Sequence, residues 1–347
     1  LGTGKQVDLN LDLSGVPEHF RALFVAEPDG SPARITTATT ADLGEGDVII
    51  EVAYSALNYK DGLALTSGAP VVRTFPMIGG IDLVGKVIAT TSERVRVGDE
   101  VVVTGWGLGE DHPGGYAEYA RVPAAWCEPI PSSISPKNAV ALGTAGVTAM
   151  LCFMALERNR STPHDLGELP LIVTGASGGV GSIAVLLGAR LGYRVVASTG
   201  RLSETEFLRG LGADEVIDRT ELSEVSTSAL GKVRFGAGID GVGGTTLVNL
   251  VRVTRANGTV CAYGLAGGAQ LSLSVHPFIL RGVMLAGINS VRPQANDRSV
   301  AWQRISELIH DDDLDAVISE TTLDGVIACA PEILSGKVRG RIVVSIR

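Results

Sequence analysis

Apolar positions follow two regimes along this chain. From Phe20 to about Val122, short β-type runs such as Val48–Tyr54 and Glu100–Val103 are separated by glycine and proline turns, and no long amphipathic helix interrupts them. That pattern predicts a mostly β segment. Over Ser135–Leu156 the spacing becomes helical, opened by Ser135-Pro136 as cap and first-turn proline. Short apolar runs then alternate with helical repeats, and Leu171–Thr174, Arg194–Ala197, Glu215–Ile217, Ala237–Asp240, Thr259–Ala262 and Val283–Ala286 read as strands. Such alternation predicts an α/β fold, a doubly wound parallel sheet of Rossmann type following a β-rich domain. A helix around Ser299–Ile309 and a strand Arg341–Ile346 are left after Asn289, and both are expected to return to the first domain. The expected domains are 19–142 with 289–347, and 143–288. Residues 1–18 read as an N-terminal extension or a fusion remnant and are set aside.

Composition narrows the class. A chain of 347 residues exceeds the usual single domain, and 44 glycines with 5% aromatics suit an architecture of many tight turns. The formal net charge of −9 argues against nucleic acid or an anionic membrane as partner, so an anionic ligand would need a local basic patch. Four cysteines lie far apart without a C-x-x-C pair, which suggests neither a disulfide framework nor a zinc knuckle and fits a cytoplasmic protein. No apolar run is expected to reach membrane-spanning length, and the N-terminus lacks the order of a signal peptide.

The densest chemical signal is Leu171–Arg201. A buried-type strand runs into Gly178, Gly179 and Gly181, and Val180–Leu191 then repeats apolar residues at helical spacing. Glycines between a strand and a helix N-terminus let a pyrophosphate approach unpaired N–H groups where the helix dipole favours an anion. Ala176 stands where G-x-G-x-x-G has its first glycine. At the end of the second strand, where a carboxylate would accept the ribose 2′-hydroxyl of NAD, the chain has Ser198, Thr199, Gly200 and Arg201. Hydroxyls beside a guanidinium suit a 2′-phosphate, so NADPH is the expected cofactor. Arg201 could instead merely open the next helix.

Several motifs carry a resemblance that spans nearly the whole chain from Arg21 onward. They are LNYKD at Leu57–Asp61, FPMIGGID at Phe75–Asp82, TGWG at Thr104–Gly107, GTAGVTAMLC at Gly143–Cys152, VTGASGGVGS, GLAGG and the terminal GRIVV. Together they resemble a zinc-free medium-chain dehydrogenase/reductase, and within it the acrylyl-CoA reductase branch of the quinone oxidoreductase-like group. The resemblance implies a GroES-like catalytic domain, a cofactor cleft between the domains and a homodimer. It also implies that Tyr59, Ser177, Gly178, Gly179, Val180, Thr199, Gly200, Arg201, Leu265, Ile279, Ser290 and Arg341 contact NADPH.

Zinc-dependent relatives place a Cys where this chain has Asn58, and a His-Glu pair where Ile81-Asp82 follow Gly80. One carboxylate without thiolate or imidazole does not assemble a tetrahedral zinc site, so no metal is expected. A nicotinamide without a metal suits reduction of an activated alkene, because a carbonyl conjugated to C=C is its own electron sink. Asn58 could donate to cofactor or substrate carbonyl; Tyr59 could hold the nicotinamide amide, supply the proton, or simply pack at a strand end. Lys60 and Asp61 read as a structural ion pair or helix-start charges. Arg73, Arg292 and Arg304 are candidates for the tail of a CoA thioester substrate. The expected reaction is reduction of a short 2-enoyl-CoA, acrylyl-CoA to propanoyl-CoA. The alternatives are quinone or enone reduction in the same fold, or an NADPH-binding protein without turnover.

Overall fold

The computed structural model describes residues 11–67, 71–224, 228–294 and 296–347, so most of the 1–18 segment lies outside the described residues. The chain divides into two compact units, residues 1–143 with 320–337 and 342–347, and residues 144–319 with 338–341.

In the first unit, β1 (Phe20–Phe24) pairs with β2 (Arg34–Ala38), and a larger sheet is built on β3 (Val48–Leu57). Helix α1 (Tyr59–Ser67) follows β3 directly; then come β4 (Asp82–Thr90), β5 (Glu100–Thr104), β6 (Tyr119–Val122) and β7 (Glu128–Pro129). β3 is the longest strand because seven of its ten residues face antiparallel partners on β4 or β6 that keep it paired along its length, including Val48 to Val122 and Ser55 to Leu83. Helix α2 (Pro136–Arg158) is long and apolar enough to span a membrane, contrary to the expectation from sequence, but 89% of its most apolar window is buried, as in a core helix. Its run is broken at Gly143 (φ 36°, ψ −140°), where the Asp82 carboxyl fills the place of a side chain.

The second unit continues with α3 (Pro163–Leu166), β8 (Leu171–Thr174), α4 (Gly179–Arg190), β9 (Val195–Thr199), α5 (Thr205–Gly210), β10 (Glu215–Asp218), β11 (Ala237–Asp240), α6 (Gly244–Val253), β12 (Thr259–Ala262), α7 (His276–Arg281), β13 (Met284–Gly287) and α8 (Asp297–Leu308). Its six strands are all parallel in the order β10-β9-β8-β11-β12-β13, the doubly wound arrangement whose order reverses beside β8. Strand β9 runs two residues further than its apolar stretch, because Ser198 still pairs with Thr174 and Ile217, and Thr199 with Asp218.

Strand β14 (Ile318–Thr322), helix α9 (Val326–Leu334) and strand β15 (Arg341–Ser345) complete the chain. The seven-stranded sheet of the first unit runs β14-β15-β3-β4-β5-β7, with β6 on β3. Residues 289–319, expected with the catalytic domain, cluster with the second unit instead. The segment buries Ala301, Trp302, Ile305 and Ile309, and in addition Arg158 donates to Asp297 at 2.6 Å and Arg304 takes both oxygens of Glu157 at 2.7 and 2.6 Å.

The Asp82 carboxyl against Gly143 yields a stability prediction. A Cβ at 143 would sit 2.8 Å from Asp82 Oδ2 in a backbone conformation that side chains rarely adopt. Gly143→Ala is expected to cost about 2–4 kcal/mol in denaturant unfolding; a loss below about 0.5 kcal/mol would contradict the packing.

Candidate functional site

The second unit gathers polar groups where β8 and β9 end. The tight turn after β8 begins at Gly175 (φ 60°), one residue before the position expected of the first motif glycine, so Ala176 need not adopt that conformation. A Cβ on Gly181 would lie 2.3 Å from the Gly175 carbonyl oxygen, and one on Gly179 would lie 3.0 Å from Arg341 Nη1. Only glycine permits that approach at 181. Helix α4 therefore starts hard against the turn, with no acidic side chain in its first turn, and its opening N–H groups suit an anion.

Around this turn Ser177 is a hub. Its hydroxyl lies 3.0 Å from Thr199 Oγ1 and accepts Arg201 Nη2 at 3.1 Å, while its carbonyl accepts Gly340 N–H at 3.0 Å. Arg201 also donates to the Val338 carbonyl at 2.8 Å and, through its backbone N–H, to Thr199 Oγ1 at 3.1 Å. Ser177, Gly178, Gly179, Val180, Thr199, Gly200, Arg201 and Arg341 thus share one edge of the sheet. Arg341 is 3% exposed, whereas a surface arginine would be open to solvent.

One basic residue escaped the sequence reading. Arg219, just past β10, lies against Gly200, with its Nε 2.7 Å from where a Cβ would stand. Its exposed guanidinium makes no hydrogen bond or ion pair with the described residues. The available signal was an arginine at the end of the strand next to β9. Leu265 and Ile279 stand outside the cluster, 60% and 71% exposed, on the loop after β12 and on α7. Ser290 is half-buried and its carbonyl accepts Arg298 Nη2 at 2.9 Å.

Next to the hub, β8 and β11 end in a buried pair. The Thr174 hydroxyl donates to Asp240 Oδ1 at 2.6 Å and accepts Gly241 N–H, while Asp240 Oδ2 accepts Gly243 N–H at 2.7 Å. Burial raises the Asp240 pKa, and these donors oppose the rise.

In the first unit, Asn58 and Tyr59 sit at the junction of β3 and α1. Asn58 is buried; its side-chain amide donates to Asp82 Oδ2 at 2.8 Å, and its backbone N–H donates to Asp61 at 2.8 Å. Tyr59 is 40% exposed and opens α1, so it is not packed at a strand end. Its hydroxyl makes no hydrogen bond with the described residues. Lys60 and Asp61 do not pair with each other. Lys60 reaches Glu110 at 2.8 Å, and Asp61 closes the helix start by accepting Asn58 and Ile81 N–H groups. Of the arginines considered for a CoA tail, Arg73 is exposed near Asp111 at 3.6 Å, and Arg304 is committed to Glu157.

Comparison with known proteins places this geometry. The family model "Alcohol dehydrogenase GroES-like domain" matches residues 44–132, and "Zinc-binding dehydrogenase" matches 179–311. Acrylyl-CoA reductase AcuI of Ruegeria pomeroyi is 42% identical over 330 residues, covering 94% of this chain and 99% of the relative. The crystal structure of Escherichia coli K-12 YhdH with bound NADPH is 42% identical with a TM-score of 0.90, covering 94% of this chain and 100% of that one. Bacillus subtilis YhfP, solved with NAD bound, is 39% identical with a TM-score of 0.89, covering 95% and 100%; it is named a putative quinone oxidoreductase.

The Thr174–Asp240 pair should be costly to break. Thr174→Val removes a donor from a buried carboxyl and is expected to lose about 2–3 kcal/mol in chemical unfolding, with Thr174→Ser within about 1 kcal/mol of the parent. Equal stability of all three would show that the hydrogen bond contributes nothing.

Proposed function

The chain belongs to the medium-chain dehydrogenase/reductase family, in the acrylyl-CoA reductase branch of its quinone oxidoreductase-like group, and from that premise we infer that it reduces the C=C bond of a short 2-enoyl-CoA, acrylyl-CoA to propanoyl-CoA, with NADPH. The observation that carries this reading is identity of 42% spread over the full length of a relative named for that activity. The residues fit the cofactor. The close approach at Gly179 and Gly181 leaves room for a pyrophosphate at the start of α4, and the end of β9 offers hydroxyls and guanidinium groups with no carboxylate.

Bound NADPH supplies the hydride that the β-carbon of the thioester receives. The protein's own part is to hold the diphosphate at Ser177–Val180, to receive the 2′-phosphate at Thr199, Gly200, Arg201 and Arg219, and to bring Arg341 beside the turn. Leu265, Ile279 and Ser290 flank the cofactor. Asn58 is fixed by two hydrogen bonds and orients the ligand. Tyr59 then gives its phenolic proton to the α-carbon, collapsing the enolate, and water restores the phenol. The uncommitted hydroxyl of Tyr59 supports that role. Arg73 and Arg292 are the arginines proposed to reach the CoA phosphates, while Arg304 is committed to both oxygens of Glu157. The protein works as a homodimer in the cytoplasm: the sheet edge at β13 carries exposed Met284, and Val275, Ile279 and Leu280 are exposed on and before α7, a patch that edge-to-edge pairing would cover.

NADPH oxidation measured side by side with acrylyl-CoA, crotonyl-CoA, a benzoquinone and a thioester lacking the adenosine phosphate tests the reading. Acrylyl-CoA should have the highest kcat/KM, and the truncated thioester should lose kcat as well as affinity, because remote binding orients the reacting carbons. If the quinone and the truncated thioester react as well as acrylyl-CoA, the protein is a general enone or quinone reductase. Tyr59→Phe should slow the chemical step by about a hundredfold; an unchanged step would assign the proton to water.

A further inference from the structure

The loop that leaves β13 is shaped by two side chains. Asn289 Oδ1 accepts the N–H groups of Val291 at 3.0 Å and Arg292 at 3.2 Å, an Asx turn. Arg298, in the first turn of α8, donates through Nη2 to the Ser290 carbonyl at 2.9 Å and to the Val291 carbonyl at 3.0 Å. Successive carbonyls of an extended chain point to opposite sides, so their convergence on one nitrogen requires a turned backbone at 290–291. Arg298 is 3% exposed, and a buried guanidinium is costly unless its N–H groups are taken up. Its base is firm. Helix α8 buries Ala301, Trp302 and Ile305, Arg158 holds the neighbouring Asp297 at 2.6 Å, and Arg304 holds Glu157 further along.

What this loop leaves uncommitted is the Ser290 hydroxyl: the residue is half-buried and the hydroxyl makes no hydrogen bond with the described residues. The loop stands at the carboxyl end of the last strand in the half of the sheet opposite β9. In a doubly wound sheet a dinucleotide lays its two mononucleotides across the two halves. With the 2′-phosphate half assigned to the end of β9, the nicotinamide half falls to the ends of β11, β12 and β13. We propose that Arg298 is a positioning residue, with Asn289 as its counterpart: together they fix the backbone of Ser290 and Val291 so that the Ser290 hydroxyl is already in place for the nicotinamide carboxamide. The inference rests on the reading of the chain as an NADPH enzyme. A hydroxyl both donates and accepts, so it can serve either the oxygen or the nitrogen of the amide. Without Arg298, two loop carbonyls lose a donor, the loop samples other shapes, and the cofactor must order it on binding. That cost falls only on a ligand that carries a nicotinamide.

Titration calorimetry on the full chain with NADPH and with 2′-phospho-ADP-ribose, which keeps the phosphates and lacks the nicotinamide, tests this without turnover. Arg298→Met should weaken NADPH binding about tenfold and leave 2′-phospho-ADP-ribose within about twofold of the parent. Loss of the arginine's charge does not produce that difference, because the dihydronicotinamide ring is uncharged and both ligands carry the same phosphates. Asn289→Ala, an exposed substitution that removes the Asx turn, should show the same selective loss and serves if Arg298→Met does not fold. Equal losses for both ligands, or no loss for either, overturn the proposal. A parent that binds neither ligand overturns the cofactor reading itself, and this inference falls with it.

Discussion

The Ser177 side chain is where the second unit's ligand-facing edge is tied together. One hydroxyl meets Thr199 from the end of β9 and the Arg201 guanidinium, while the same residue's carbonyl takes Gly340 from the segment that leads into β15. Each contact alone contributes about 1 kcal/mol. Their joint effect is geometric: the glycine turn, the end of β9 and residues 338–341 cannot move independently. Arg341 is consequently brought beside Gly179, at the mouth of α4, although 162 residues of chain separate them.

Much of this was legible in the sequence because strand, glycine turn and helix are local patterns. Leu171–Thr174 and the helix after Gly178 needed only periodicity and the absence of Cβ atoms. What escaped had non-local causes. Ser198 and Thr199 are too polar to extend an apolar run, yet partners on both sides of Ser198 and Asp218 beside Thr199 keep them in β9. Residues 289–319 cluster with the second unit, where Asp297 and Arg304 find partners at the end of α2 that no spacing rule reports. Apolar length in α2 gave no warning that burial, with a break at Gly143, is its fate. At the candidate site, LNYKD showed its side chains but not their partners. Lys60 and Asp61 are neighbours in sequence that answer to different residues, Glu110 for one and two backbone N–H groups for the other.

The electrostatics of the cofactor site oppose the character of the whole chain. A protein of formal charge −9 repels a nucleotide at long range, so binding depends on local cations within a Debye length. Arg201 and Arg219 flank Gly200 in different states. Arg201 already spends part of its guanidinium on Ser177 and Val338, whereas the Arg219 guanidinium makes no hydrogen bond with the described residues.

Selection of the phosphorylated cofactor can be measured by titration calorimetry of NADPH and NADH against the parent, Arg201→Ala and Arg219→Ala. Charged hydrogen bonds of about 1.5–3 kcal/mol predict that the parent prefers NADPH, and that each variant loses on the order of ten- to a hundredfold in NADPH affinity while NADH changes little. Equal affinity of the parent for the two cofactors, or equal losses for both in the variants, would contradict it.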